Sequence, residues 1–489
     1  VSVILEALAH HATHTPQGRA VTGSRDVLSW RQLDGEVGRL ATALNGARTL
    51  GTLLVNAPAW VVADLAALRA GVMHVPLPGF FSDGQLQHAL QDAGIDTVIT
   101  DAPQRIADLV AVRHSDTLHI GGQPFTRLLL QPDMQQAQRA SAAKVTYTSG
   151  TTGTPRGVRL SLDTIESVAG TLARAAHAEA ADRAMALLPL SILLENIGAL
   201  YVPILGGAEI LVPDPAETGV DGSSRVDAAR LATALQRYRP TALIVPPGLL
   251  KLLTVLARRG TVPDSLRFIA VGGAPAGQGL LEEAVNCGLP VYQGYGLSEA
   301  GSVVAMNTPT HNRPGSVGRL LPHVRALISE TGEILVQGKT FSGYLGNAAR
   351  DASDVLATGD TGYFDPDGYL YVTGRLRERI ITAYGRNVSP EWIEAELLSH
   401  PAIAQAAVIG NGRLQLLAVL VPSGAQAAAE LETTVAAVNA RLPDYARIDT
   451  WLLADAPFST ASGELTTGGS LRRDVIEQHY FPQRQVARS

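Results

Sequence analysis

A chain of 489 residues exceeds one ordinary hydrophobic core, so two or more domains are expected, and 46% hydrophobic against 17% charged residues is the composition of a folded protein. A formal charge of -6 leaves no polybasic face for a nucleic-acid partner, although small anions need only local charge. Cys287 is the single cysteine, which excludes a disulfide framework and a cysteine-rich metal site, and the twelve histidines form no metal-ligating spacing. No run of about 18 apolar residues occurs, and the opening VSVILEALAHHATHTPQG lacks the basic region and apolar core of a signal peptide. A cytoplasmic protein with no integral membrane segment is expected.

Short apolar runs alternate with helical patterns from residue 1 to about 374, which predicts a layered α/β architecture with parallel sheets. In chain order, strands are predicted at Thr52–Val55 and Asp96–Thr100, with a helix from Ala59 between them. Further strands are predicted at Glu209–Val212, Ala242–Val245 and Phe268–Val271, with helices from Val226 and Leu280. After Gly374 the pattern becomes a compact α+β one: the charged RLRERII, a helix PEWIEAELLSH, strands AAVIG and LQLLAVLVP, and a final helix LRRDVIEQ. Residues 1–374 and 380–489 therefore read as a large and a small domain, with 375–379 as the linker. A surface loop within one domain is the plainer alternative. No internal repeat is present.

The strongest chemical signal is KVTYTSGTTGTPRGV, Lys144 to Val158. A β-like run opens into Thr148, Ser149, Gly150, Thr151, Thr152 and Gly153, whose hydroxyls and exposed N–H groups suit phosphate oxygens, and Arg156 adds a cation. A Walker loop from Gly150 is ruled out, because Pro155, Arg156 and Gly157 stand where Gly-Lys-Ser/Thr belongs. A dinucleotide fingerprint is excluded too, since GYGLSEAG places Glu299 at the third glycine. Alone, such a stretch is more often a solvated loop.

It is not alone. The loop resembles the signature of the adenylate-forming superfamily of acyl-CoA synthetases, peptide-synthetase adenylation domains and luciferases. Downstream follow GGAP (Gly272–Pro275), GYGLSE (Gly294–Glu299), TGD (Thr358–Asp360) and GRLRERIITAYGRNVSPEWIE (Gly374–Glu394), in that family's order. The resemblance covers essentially the whole chain. It implies a large N-terminal domain of several subdomains with parallel-rich sheets, and a small mobile α+β C-terminal domain that turns about Arg377 between two half-reactions. It also implies ATP and Mg2+ as cofactors, with Glu299 as the metal ligand and Ser298 at the α-phosphate. Tyr295 is implied beside adenine with Gly273, Ala274, Pro275, Gly294 and Gly296 around it, and Asp360 with Arg375 at the ribose.

The reaction so implied activates a fatty or aryl carboxylic acid as its acyl-AMP, releases pyrophosphate, and passes the acyl group to a pantetheine thiol. That thiol belongs to CoA or to the phosphopantetheine of a separate acyl carrier protein. Gly385 is implied to let the backbone approach that thiol closely.

The chain departs from the family pattern at several positions. Ser298 replaces the usual threonine and keeps the hydroxyl. Arg156 replaces a lysine and keeps the charge with a different geometry. In LTTGGSLRR, Leu465–Arg473, Ser470 stands where the family carries the lysine that stabilises the adenylation transition state. Three readings stay open there: an introduced substitution, an enzyme drawing on another cation such as Arg472, or a homologue that binds without turnover. An adenylate-forming enzyme without thiol transfer is a further alternative. In LLPLSILLENIGALYVPILGG, Ile192 stands where a histidine is frequent in long-chain and related acyl-CoA synthetases, while Glu195, Tyr201 and Pro203 keep the resemblance.

Overall fold

The structure is a computed structural model that describes residues 2–131, 142–148, 155–221, 225–351, 354–383, 386–466 and 470–482. Among them, nine strands form one large sheet and seven another. The central strands of the first, Glu209–Val212, Arg183–Met185, Ala242–Val245, Phe268–Val271 and Val291–Tyr295, run parallel, and antiparallel strands close its edges. The second has a parallel centre of Thr97–Thr100, Thr49–Leu53, Met73–Pro76 and Lys144–Thr148. Strands buried on both faces read as continuous apolar runs, which is why EILV, ALIV and FIAV were legible.

Boundaries moved where tertiary contacts outweighed local pattern. The strand expected at Thr52–Val55 is Thr49–Leu53, because Leu50 and Thr52 are buried between parallel neighbours whereas Val55 is exposed beyond the strand end. The helix expected from Val226 begins at Ala228, where the Asp227 side chain accepts from the N–H groups of Ala229 and Arg230. The final helix spans Arg473–Tyr480.

A four-stranded antiparallel sheet follows, Val324–Ile328, Glu333–Gly338, Leu356–Phe364 and Leu370–Arg375. The chain then makes a single 3-10 turn, Leu376–Glu378, and enters an α+β unit. There the helix Pro390–Ser399 packs on a sheet of Ile403–Ile409, Leu416–Pro422 and Ile448–Leu453 around its own core of Ile393, Leu397, Leu416 and Leu420. Lys251, on the helix Pro247–Arg258, donates to the carbonyls of Leu398, His400 and Ile403 at 2.8–3.0 Å, and Gln278 N–H donates to Glu396. These bonds hold the α+β unit against the end of the first sheet where the parallel strands finish. No helix among the described residues is long and apolar enough to cross a membrane.

Candidate functional site

Ligands of open parallel sheets collect beyond the carboxyl ends of the strands. Here Phe268–Val271 ends in Gly272, Gly273, Ala274 and Pro275, the last three exposed, and Val291–Tyr295 ends in Gly296 and the 3-10 turn Ser298–Ala300. Gly294 lies in the latter strand, paired with Met306.

The Tyr295 hydroxyl donates to Asp360 Oδ2 at 2.6 Å, and Arg375 Nε meets Asp360 Oδ1 at 2.8 Å. Asp360 and Arg375 are register partners on adjacent strands, so the sheet itself sets that pair. Burial raises the Asp360 carboxyl, opposed by Arg375 and the Tyr295 hydroxyl, while burial and the Asp360 charge push the Tyr295 phenol up. A buried carboxylate bracketed by a phenol and a guanidinium is a rigid acceptor suited to a pair of hydroxyls.

A second cluster forms around Glu299. Its carboxylate accepts from the Tyr344 hydroxyl at 2.7 Å, and the Arg156 guanidinium lies over the Tyr344 ring at 3.7 Å. Arg156 pairs with Thr148 across the hairpin of Lys144–Thr148 and Arg156–Leu160, so the strand that follows the hydroxyl-rich loop approaches Glu299 through the Tyr344 ring. Ser149, Gly150, Thr151, Thr152 and Gly153 lie outside the described residues, as does Gly385. Tyr344 carries no signal in the sequence, where the aromatics of FSGYLG belong to none of the recognised motifs.

No cluster of three or more His, Cys, Asp or Glu side chains able to hold a metal occurs among the described residues. Magnesium is commonly held by one or two carboxylates plus substrate phosphates, so a single carboxylate at Glu299 beside a phosphate-type loop fits that ion.

Arg377 is exposed in the 3-10 turn after Arg375. Ser470 is exposed as well, in a turn where its N–H donates to the Thr466 hydroxyl at 3.1 Å and its carbonyl accepts from Thr466 N–H at 2.8 Å. The part of the α+β unit that meets the Asp360–Arg375 pair is instead Ser389–Glu391. Gly374 has φ +145°, and a Cβ there would lie 2.0 Å from Ser389 Oγ, so glycine is required for this approach.

A cavity of about 470 Å³ opens beside Gly272, Gly273 and Tyr295–Ser298 and runs beneath the sheet face, with Ile192 in its wall. Its roof includes the π-helical turn Ile197–Tyr201.

The AMP-binding enzyme family matches residues 8–345 of this chain, and the AMP-binding enzyme C-terminal domain matches residues 377–483. The chain belongs to the AMP-binding enzyme family. It is 31% identical over 438 residues to the 2-succinylbenzoate–CoA ligase of Bacillus licheniformis, covering 82% of this chain and 86% of that one. It is 27% identical over 509 residues to a long-chain-fatty-acid–CoA ligase of Mycobacterium bovis, covering 86% and 84%. Among solved structures, the Bacillus subtilis o-succinylbenzoate CoA synthetase with its acyl-adenylate intermediate aligns with a TM-score of 0.75 at 25% identity, over 96% of this chain and 97% of that one. An anthranilate CoA ligase holding anthranoyl-AMP aligns at 0.80 over 97% and 96%, and at 20% identity it attests the fold alone.

In this AMP-binding enzyme a buried polar network ties the loop strand to the cavity roof. Lys144 Nζ contacts the Asp64 carboxylate, the Asn196 side-chain oxygen and, at 2.8 Å, the Tyr201 hydroxyl. Tyr201 donates to Asp64 Oδ2 at 2.6 Å, His74 Nδ1 lies 2.7 Å from Asp64 Oδ1, and Thr52 lies 2.9 Å from His74 Nε2. Burial opposes ionisation of Asp64, but Lys144 and His74 hold its carboxyl below the usual range, and burial lowers His74. A neutral His74 then donates from Nδ1 and accepts at Nε2. In the sequence Lys144 shows only as the start of the loop motif.

Glu195 is fully buried. Its Oε1 accepts from Leu188 N–H at 3.2 Å, whereas Oε2 has no partner among the described residues, and burial raises its carboxyl well above the usual range. The folded protein thus keeps a proton that the unfolded chain releases at ordinary carboxylate pH, so stability falls as pH rises through that window. Glu195→Gln removes this loss. Thermal melts are expected to show the variant and parent alike below the ordinary glutamate pKa of about 4.3 and the variant more stable at pH 8; a gap that does not widen with pH refutes the assignment.

Proposed function

We propose that this protein is an AMP-forming acid–thiol ligase that converts a carboxylic acid and ATP to acyl-AMP and pyrophosphate, then transfers the acyl group to the thiol of CoA. The observation that carries this reading is the Tyr295–Asp360–Arg375 cluster at the mouth of an apolar cavity, with Glu299 and Arg156 gathered on the Tyr344 side chain. Asp360 accepts both ribose hydroxyls, Arg375 assists it, and Tyr295 flanks the adenine between the Gly273–Pro275 and Gly294–Gly296 segments. Thr148 and Arg156, with the hydroxyl loop between them, hold the leaving phosphates, and Ser298 contacts the α-phosphate.

Magnesium, carried by Glu299 and the phosphates, supplies charge neutralisation to a reaction that joins two anions. The carboxylate then attacks the α-phosphorus and pyrophosphate leaves with its electron pair. In the second step the thiolate adds to the acyl carbonyl and AMP leaves.

Residues 375–379 are the hinge about which 380–489 turns on 1–374, with the Ser389–Glu391 segment facing the site for the thiol step. A phosphopantetheine on a separate carrier protein is the alternative acceptor. Ser470 favours one second reading, an acyl-AMP binder without turnover.

Incubation with ATP, magnesium, CoA and a panel of fatty and aryl acids is expected to release AMP and form thioester. AMP release without CoA dependence removes the thiol step, and binding without AMP release favours the second reading. Asp360→Ala is expected to weaken AMP binding at least tenfold, since hydrogen bonds to a charged group are worth about 1.5–3 kcal/mol each. Calorimetric titration with AMP checks it, and unchanged affinity places the ribose elsewhere.

A further inference from the structure

The cavity has a direction. Its mouth is at Gly272, Gly273 and Ser298, beyond the carboxyl ends of the parallel strands, and its floor is at Asp182 and Arg267, which precede the amino ends of Arg183–Met185 and Phe268–Val271. Phe268 to Gly272 spans four residue steps, or about 13 Å at ~3.3 Å per residue. Between mouth and floor the sheet contributes small side chains: Ala184, Ala242 and Ala270 line the space, and the last two keep partial exposure inside a nine-stranded sheet. From the roof, Gly198 leaves room for Ile244, whose Cδ1 would lie 2.3 Å from a Cβ there.

The floor is charged but already occupied. Asp182 and Arg267 are the charged side chains among the described residues lining the cavity, and they pair with each other through Arg267 Nε at 2.6 Å and through Nη2. Nη1 donates to the carbonyl of Ala176 at 3.0 Å, and Nη2 also donates to that of His177 at 2.8 Å. Asp182 also accepts from the Thr241 hydroxyl and Glu179 N–H. A second carboxylate carried to this floor would meet a guanidinium whose charge Asp182 already neutralises.

We propose that the acid is a monocarboxylate with an unbranched apolar tail on the order of ten carbons, the length that C–C bonds of about 1.5 Å need to run from mouth to floor. This rests on the reading that the site binds acyl-AMP. A single aromatic ring fills less than half of the length. Dicarboxylates such as 2-succinylbenzoate are excluded, although relatives are named for that acid.

The test uses non-hydrolysable acylsulfamoyl adenosines titrated calorimetrically into the full chain, which separates binding from turnover at Ser470. Decanoyl is expected to bind at least tenfold tighter than hexanoyl or benzoyl, each buried methylene adding affinity, and 2-succinylbenzoyl no tighter than AMP. Ala242→Leu, at the floor end, is expected to weaken decanoyl about tenfold and leave AMP and hexanoyl within about twofold, as one added side chain fills the distal space. Tightest binding of 2-succinylbenzoyl or benzoyl, or affinity indifferent to chain length, overturns the proposal while AMP binding upholds the site. Failure of AMP and every analogue alike overturns the underlying reading as well.

Discussion

Ser470→Lys is expected to raise pyrophosphate release roughly 100- to 1,000-fold, the range by which a single preorganised electrostatic donor commonly changes a rate. The lysines of the chain offer no substitute for that charge. There are three. Lys144 is buried against Asp64, Lys251 is spent on three carbonyls, and Lys339 pairs with Asp163. Arg473 is held by Glu394 at 2.6 Å and by Glu378, which leaves the exposed Arg472 beside it as the nearest cation on this segment.

The gain should fall on kcat more than on the KM for ATP, because the contact is made to charge that develops in the transition state. Thioester formation from pre-made acyl-AMP should not change, since Ser389–Glu391 rather than the Ser470 turn faces the Asp360–Arg375 pair in this arrangement. Single-turnover measurements of each half-reaction check both statements. If the parent protein already matches the lysine variant, a different cation acts, and Arg472→Ala is then the variant that loses adenylation.

Asp64→Ala is expected to cost about 3–5 kcal/mol of stability, the usual penalty for leaving a buried charge without its partner. The stranded groups are Lys144, on the strand that leads into the hydroxyl loop, Tyr201, on the π-helical turn above the cavity, and His74. Replacing both charges, Asp64→Leu with Lys144→Met, should recover most of the loss, because the desolvation penalty disappears along with the attraction. Thermal melts of the parent and the two variants decide it. A double variant as unstable as Asp64→Ala alone would mean that the network contributes through shape rather than charge. A thermally restored double variant with weakened AMP or acyl-analogue binding would show that the same bonds also hold the loop strand and the cavity roof in place.

What the sequence by itself determined is local chemistry at fixed spacing. Runs such as EILV and FIAV are strands because β-branched and apolar side chains suit a position buried on both faces. The order of glycine, hydroxyl and carboxylate motifs pointed to a nucleotide site, and Tyr295, Glu299, Asp360 and Arg375 could be named because each lies inside such a motif. Tertiary structure alone decided which groups meet. Asp64 and Lys144 are 80 positions apart and Asp64 and Tyr201 are 137, so no window of sequence contains their hydrogen bonds. Tyr344 reaches Glu299 across 45 residues, and Arg267 spends its charge on Asp182 across 85. A sequence displays a charge but not its partner, and the partner decides whether that charge is available to a substrate or consumed by the fold.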